Sequence, residues 1–222
     1  MLSIVVPMLD EADGIGAALQ ALQPLRARGH EVIVVDGGSR DGSPGLAAPL
    51  ADAVLTSERG RALQMNTGAA RARGQTLLFL HADTTLPPLA DAAIDAALLR
   101  GARWGRFDVC IVGRSRWFPV ISAFMNLRSR CSGIATGDQA LFVQATLFRR
   151  LGGFSEQPLM EDVALSRRLK FDSPPACLKE RVLTSGRRWE SRGVWRTIWL
   201  MWTLRYRYWR GATPESLARA YR

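Results

Sequence analysis

Ser3-Ile4-Val5-Val6-Pro7-Met8-Leu9-Asp10-Glu11 decides the fold class. A brief run rich in β-branched residues reads as a strand buried on both faces, as strands of parallel sheets do. The chain turns acidic directly after it. The same device returns twice: Val32-Ile33-Val34-Val35 leads into Asp36-Gly37-Gly38-Ser39, and Thr76-Leu77-Leu78-Phe79-Leu80 leads into His81-Ala82-Asp83. Ala53-Val54-Leu55 is a weaker strand between them. Helix-compatible stretches run from Asp13 to Arg28 and from Gly60 to Arg73. Strands alternating with helices predict an α/β domain, a mostly parallel, Rossmann-like sheet wound on both faces.

In such a sheet, ligands bind outside the carboxyl ends of the strands, near the point where strand order reverses. Asp10, Glu11, Asp36 and Asp83 would therefore meet in one crevice. Asp also favours strand-to-helix turns and helix caps, which explains any one of these positions alone. The dinucleotide loop G-x-G-x-x-G is absent after the first strand, where Met8-Leu9-Asp10-Glu11-Ala12-Asp13-Gly14 stands, and so is the P-loop. An acidic mouth repels bare phosphate unless a divalent cation intervenes. Mg²⁺ binds through one or two carboxylates plus substrate phosphates, a role that suits Asp83. Arg61, or its neighbour Arg59, offers a forked guanidinium for a diphosphate. The expected ligand is a nucleoside diphosphate held with a metal.

The three strand-end motifs, taken with Gly137-Asp138-Gln139-Ala140, Leu151-Gly152-Gly153-Phe154 and Met160-Glu161-Asp162-Val163-Ala164-Leu165, occur in order over residues 3–190. Together they resemble the family 2 glycosyltransferases, whose fold is the single-domain GT-A type. The stretch Arg59-Gly60-Arg61-Ala62-Leu63-Gln64-Met65-Asn66 is similar to a short subgroup labelled radical-SAM/selenodomain-associated transferase. The resemblance implies transfer of one sugar from a UDP- or GDP-linked donor to a hydroxyl acceptor, with inversion. Pro7, Glu11 and Asp36 would bind the nucleotide, with Arg61, His81 and Ala82 beside them. Asp83 matches the last Asp of the family's D-x-D metal motif. His81 replaces the first, and imidazole is a poorer partner than carboxylate for a hard cation such as Mg²⁺. His81 is therefore read as a ribose or phosphate contact, and the expected divalent cation, Mg²⁺ or Mn²⁺, as bound either weakly or with a preference for Mn²⁺.

Asp162, with Glu161, matches the catalytic base, which takes the proton of an acceptor hydroxyl as that oxygen attacks the anomeric carbon. Acidic residues in a first helical turn are also an ordinary helix-start preference. Gly137, Asp138 and Gln139 would place the acceptor or the donor sugar. Arg188-Trp189 resembles the end of the Q-x-x-R-W motif of processive members, but Ser185 stands at the Gln position. A single transfer is expected rather than polymer synthesis.

Composition bounds the remaining classes. The chain has 222 residues, 47% hydrophobic and 23% charged, with a net charge of +10, which is globular composition. Residues 1–99 carry 7 basic and 11 acidic side chains, residues 100–180 carry 13 and 7, and residues 181–222 carry 10 and 2. The surplus is thus a gradient toward the C-terminus. Three scattered cysteines, Cys110, Cys131 and Cys177, support neither a zinc knuckle nor a disulfide framework. No basic leader and no long apolar run appear, so a cytoplasmic location is expected. Residues 1–190 read as the GT-A domain, with a nucleotide half over 1–100 and an acceptor half over 101–190.

Residues 191–222 read as a basic helical tail. Arg192, Arg196, Thr203, Arg207 and Arg210 share one stripe, while Trp195, Ile198, Trp199, Trp202, Tyr206 and Trp209 cover another, with Arg205 among them. Such a helix suits an anionic membrane surface on the inner face of the membrane. The alternatives are packing on the protein's own core or on a second subunit as a homodimer. A non-catalytic module is the competing function. Basic-aromatic interleaving also marks single-strand binders, yet no nucleic-acid motif is present, so that partner is not expected.

Overall fold

The computed structural model describes residues 1–221. Eight strands form one sheet: β1 Leu2–Met8, β2 Glu31–Asp36, β3 Ala53–Thr56, β4 Thr76–Phe79, β5 Thr84–Thr85, β6 Trp104–Val112, β7 Leu141–Gln144 and β8 Ala176–Ser185. The helices of the first half are α1 Ala12–Gln20, α2 Gln23–Ala27, α3 Ser43–Ala47, α4 Arg61–Arg71 and α5 Ala90–Leu99. Those of the second are α6 Phe118–Ser132, α7 Ala145–Arg150, α8 Glu161–Asp172, α9 Arg187–Arg192, α10 Val194–Trp209 and α11 Pro214–Tyr221.

Strand order is β3-β2-β1-β4-β7-β6-β8-β5. β3, β2, β1 and β4 are parallel to one another, and β6 runs parallel to β8. β7 enters antiparallel between β4 and β6, and β5 closes the far edge antiparallel to β8. The expected α/β sheet is thus present, mixed at its centre. Nothing in the apolar run Leu141-Phe142-Val143 distinguishes a parallel from an antiparallel neighbour, so this reversal was not legible.

The sheet separates two apolar layers. Ile4, Val6, Val32 and Val34 point to one, against Ile15 and Leu19 of α1 and Ile94 of α5. Val5, Ile33, Val35, Leu77 and Phe79 point to the other, against α4, α7 and α8. Gly68 lets α4 lie close on the sheet: a Cβ there would sit 2.4 Å from Val5 Cγ1. The helix expected over Asp13–Arg28 is two helices. Residues Ala21 and Leu22 intervene and Pro24 lies in the first turn of α2, where its missing N–H costs nothing.

The chain order 3-2-1-4 reverses between β1 and β4, opening a crevice at their carboxyl ends. Residues 191–221 fold back rather than trail away. Leu204 of α10 and Leu217 of α11 are buried with Met160 and Val163 at the start of α8.

Candidate active site

Two adjoining cavities occupy the carboxyl ends of the central strands. The first lies over the reversal point and is lined by Pro7, Glu11, Arg59, Arg61, Gln64, His81, Ala82, Asp83 and Arg188. Its floor is held by Gln64, whose amide donates to Met8 O and Val35 O at 2.8 Å each, tying the ends of β1 and β2. Glu11 meets Arg187 at 3.4 Å. Burial raises the Glu11 carboxyl above the ordinary range; Arg187 opposes this and the charge of Asp83 adds to it.

Asp36 does not reach this cleft. Its carboxylate is committed to the following turn, accepting from Gly38 N, Ser39 N and Ser39 Oγ. Asp10 likewise accepts from Arg40 N at 2.8 Å. The turn-forming role of Asp thus accounts for these two, while Glu11 and Asp83 do line the cleft.

The second cavity is bounded by Gly137, Asp138, Glu161 and Asp162, by Arg188 and Trp189, and by Arg128 and Arg205 from α6 and α10. Arg61, His81 and Arg188 line both cavities and mark their junction. His81 Nδ1 lies 3.2 Å from Asp138 Oδ1. Burial pushes the Asp138 carboxyl up, but His81, Arg61 and Arg188 outweigh it and hold it at about 2. Gly137 packs on the same imidazole, since a Cβ there would sit 2.4 Å from His81 Nε2.

Asp162 Oδ2 accepts from Gly137 N at 2.9 Å and Oδ1 from Val163 N at 2.7 Å. Glu161 beside it is 7% exposed. Burial, with the charge of Asp162, raises its carboxyl above the ordinary range. Met160 precedes the pair at φ 66°, and Ala140 follows the Gly137–Gln139 turn at φ 47°. Non-glycine residues in the left-handed region are uncommon and gather at functional sites. Gln139 is turned away: fully buried, it accepts from Thr136 N at 3.2 Å as the cap of its own turn.

Four residues of the two cavities, Gln64, Arg128, Arg205 and Tyr221, carry no role in the sequence motifs. Gln64 falls inside the Arg59–Asn66 stretch and Arg205 inside the aromatic arc, while Arg128 and Tyr221 belong to no motif. Tyr221 closes the cavity's rim, its ring beneath Arg188 and Arg192 at 5.5 and 5.6 Å.

No group of three or more His, Cys, Asp or Glu side chains able to hold a metal occurs among the described residues. The donor set is narrower: Asp83 is exposed at the cleft, while His81 is engaged with Asp138. Such a set fits a cation whose sphere substrate phosphates complete.

A family model described as "Glycosyl transferase family 2" matches residues 3–149. Three solved structures share the fold at low identity. The mannosyltransferase PcManGT from Pyrobaculum calidifontis, in complex with GDP-Man and Mn²⁺, is 21% identical over 99% of this chain and 68% of its own, with a TM-score of 0.66. TarS 1–349 from S. aureus, in complex with UDP, is 18% identical over 83% of this chain and 60% of its own, with a TM-score of 0.65. Glucosyl-3-phosphoglycerate synthase from Mycobacterium tuberculosis, with Mn²⁺, UDP and phosphoglyceric acid, is 19% identical over 82% and 68%, with a TM-score of 0.61. No curated protein sequence matches the chain.

Proposed function

We propose that this chain, which belongs to glycosyl transferase family 2, moves one sugar from a nucleoside-diphosphate donor to an acceptor hydroxyl, with inversion and with Asp162 as the general base. The carrying observation is that the cleft over the strand reversal and the cavity around Asp162 meet at Arg61, His81 and Arg188. A donor lying in the first would present its anomeric carbon at that junction, where an acceptor in the second can attack it. The solved neighbours hold GDP-Man, UDP and Mn²⁺, which supports the same ligand class here. The Arg59–Asn66 stretch supports a place in the short radical-SAM/selenodomain-associated subgroup.

The residues take separate tasks. Pro7, Glu11 and Ala82 line the nucleotide's path, and Asp36 acts through the turn it holds. Arg61, opened to both cavities, sits where the diphosphate charge develops as the sugar leaves. Asp83 would hold a divalent cation together with the donor phosphates, and that cation supplies electrostatic stabilisation of the leaving diphosphate. Asp162 takes the proton from the attacking hydroxyl, and the Gly137 N–H fixes its carboxylate for that role. Asp138 holds His81, which contacts the phosphate or ribose. Among the described residues no helix is long and apolar enough to cross a membrane.

The test is a transfer assay with UDP- and GDP-linked sugars across hydroxyl acceptors, scoring released nucleoside diphosphate. Release that depends on acceptor and vanishes in Asp162→Asn supports the reading. Release independent of any acceptor and unaltered in that variant would sink it.

A further inference from the structure

The second cavity is lined by more guanidinium groups, Arg61, Arg128, Arg188, Arg192 and Arg205, than carboxylates, Asp138, Glu161 and Asp162. Arg128 and Arg205 reach it from α6 and α10, neither element belonging to a catalytic motif. Nε and Nη2 of Arg128 are buried without a hydrogen-bond partner. No salt bridge among the described residues involves Arg128 or Arg205. Burial depresses Arg205, and burial together with the charge of Arg205 brings Arg128 down to about 10; the charges of Asp162 and Asp138 offset only part of this in each, and Arg128 stays charged at neutral pH.

The carboxylates nearby are already engaged. Asp138 is bound to His81, and Asp162 accepts two backbone N–H groups. Glu161 is pushed toward its neutral form by burial. Two guanidiniums lining one cavity with no direct ion pair are costly, and a desolvated cation is stabilised chiefly by an opposite charge with hydrogen bonds. Their combined N–H groups outnumber what two carboxylate oxygens can accept, whereas a phosphate with three terminal oxygens matches paired forks.

We propose that the acceptor carries a phosphate group, seated between Arg128 and Arg205 beside the hydroxyl it presents to Asp162. The inference rests on the sugar-transfer reading and names its acceptor class. Met125, Leu159, Ile198 and Met201 line the same cavity. The phosphate can therefore come from a small soluble molecule or from a lipid headgroup whose apolar part covers those side chains.

The test is calorimetric titration of the full chain with inorganic phosphate and with octyl phosphate, run with and without saturating UDP and Mn²⁺. UDP keeps the probes out of the donor cleft. Wild type is expected to bind both, and Arg128→Gln and Arg205→Gln to lose at least tenfold in affinity while binding UDP unchanged. Arg205→Lys, which keeps the charge but not the fork, is expected to bind more tightly than Arg205→Gln and less tightly than wild type, separating charge from fold. Tighter binding of octyl phosphate assigns the lipid source, and equal binding the soluble one. Phosphate affinity that is absent in wild type, or unchanged from wild type in both Gln variants, overturns the proposal. Failure of UDP to bind counts against the donor reading instead, and the titrations without UDP still decide this one.

A different face carries a second inference. Trp195, Trp199, Trp202 and Trp209 of α10 are 63–78% exposed. The buried side of that helix is Thr197, Leu204 and their neighbours, so the tryptophans flank the packed face rather than form it. Phe124 and Leu127 of α6 are exposed as well, and Trp117 stacks edge-on to Trp195 at 5.0 Å. Beside them Arg196, Arg207 and Arg210 are exposed, in a segment where ten basic residues face two acidic ones. A contiguous aromatic patch rimmed by guanidinium marks an interaction surface, and its charge fits anionic headgroups.

We infer that this face docks on an anionic lipid surface. Co-sedimentation with phosphatidylcholine vesicles, with and without phosphatidylglycerol, tests it. Binding is expected only to the anionic vesicles, weaker at high salt and at least fivefold weaker in Trp199→Ser/Trp202→Ser. No binding to either vesicle overturns it. So does a dimer of this chain that the same double variant dissociates.

Discussion

The Gly137 N–H donates to Asp162 Oδ2 at 2.9 Å, joining two segments 25 residues apart. That bond fixes the carboxylate at the mouth of the acceptor cavity, and the same glycine packs on His81 from the other side. One turn thus positions both the proposed base and the residue at the cavity junction.

Replacing Asp162 by Asn keeps the shape and removes the base. General-base catalysis contributes about 10²–10⁴-fold, so kcat for transfer is expected to fall by that order. UDP and GDP affinity, which depends on the other cavity, is expected to stay within about twofold. Steady-state transfer kinetics paired with nucleotide titration check both halves.

Gly137→Ala is expected to be harmful for a steric reason. The new Cβ would sit 2.4 Å from His81 Nε2, closer than any real contact, so the imidazole or the turn must move. At least a tenfold loss of kcat/KM is expected. In His81→Ala the obstruction is gone, so Gly137→Ala should cost little more there. A double-mutant cycle on kcat/KM reads this coupling directly.

Much of this arrangement is legible in the sequence, for a physical reason. Strands buried on both faces, such as Val32–Val35, are apolar throughout and leave little ambiguity of face. Their carboxyl ends are therefore easy to locate along the chain, and Glu11 and Asp83 follow directly from them. Asp36 shows where that reading stops. Whether a carboxylate lines a cleft or caps Gly38 and Ser39 depends on the turn's geometry, and the residue type serves either. Arg128 and Arg205 are illegible for another reason: they meet only because α10 folds back over α6 and α8. In the sequence Arg205 interrupts an aromatic arc; in the fold it is the inward-facing charge.

Gln64→Leu is expected to loosen the donor cleft. It removes two hydrogen bonds at 2.8 Å and leaves Met8 O and Val35 O without that partner. Met8 O keeps the Gly37 N–H at 2.9 Å, so a loss of about 1–2 kcal/mol is expected from the two missing hydrogen bonds. Urea unfolding measures it, with an unchanged m-value expected.

Asp91 sets an acid limit on stability far from the active site. Burial pushes its carboxyl up, but the hydrogen bonds from Arg28 and His30 outweigh burial and hold it at about 2. The folded value lies below the ordinary one, so the charged form adds stability above the usual carboxylate range. That stability is lost as pH falls toward 2. With Arg28 partly exposed, about 1–2 kcal/mol is expected at neutral pH. Asp91→Asn should lower the melting temperature at pH 7 and flatten its decline between pH 5 and pH 2, as thermal unfolding across pH will show.

The most direct measurement is a titration of the protein with UDP and GDP, with and without Mn²⁺, in wild type and Asp83→Ala. The expected result is binding of at least one nucleoside diphosphate, at least tenfold tighter with Mn²⁺, with that enhancement lost in Asp83→Ala. Absence of binding by both nucleotides, with the metal present, would contradict the assignment of the β1–β4 cleft as a donor site.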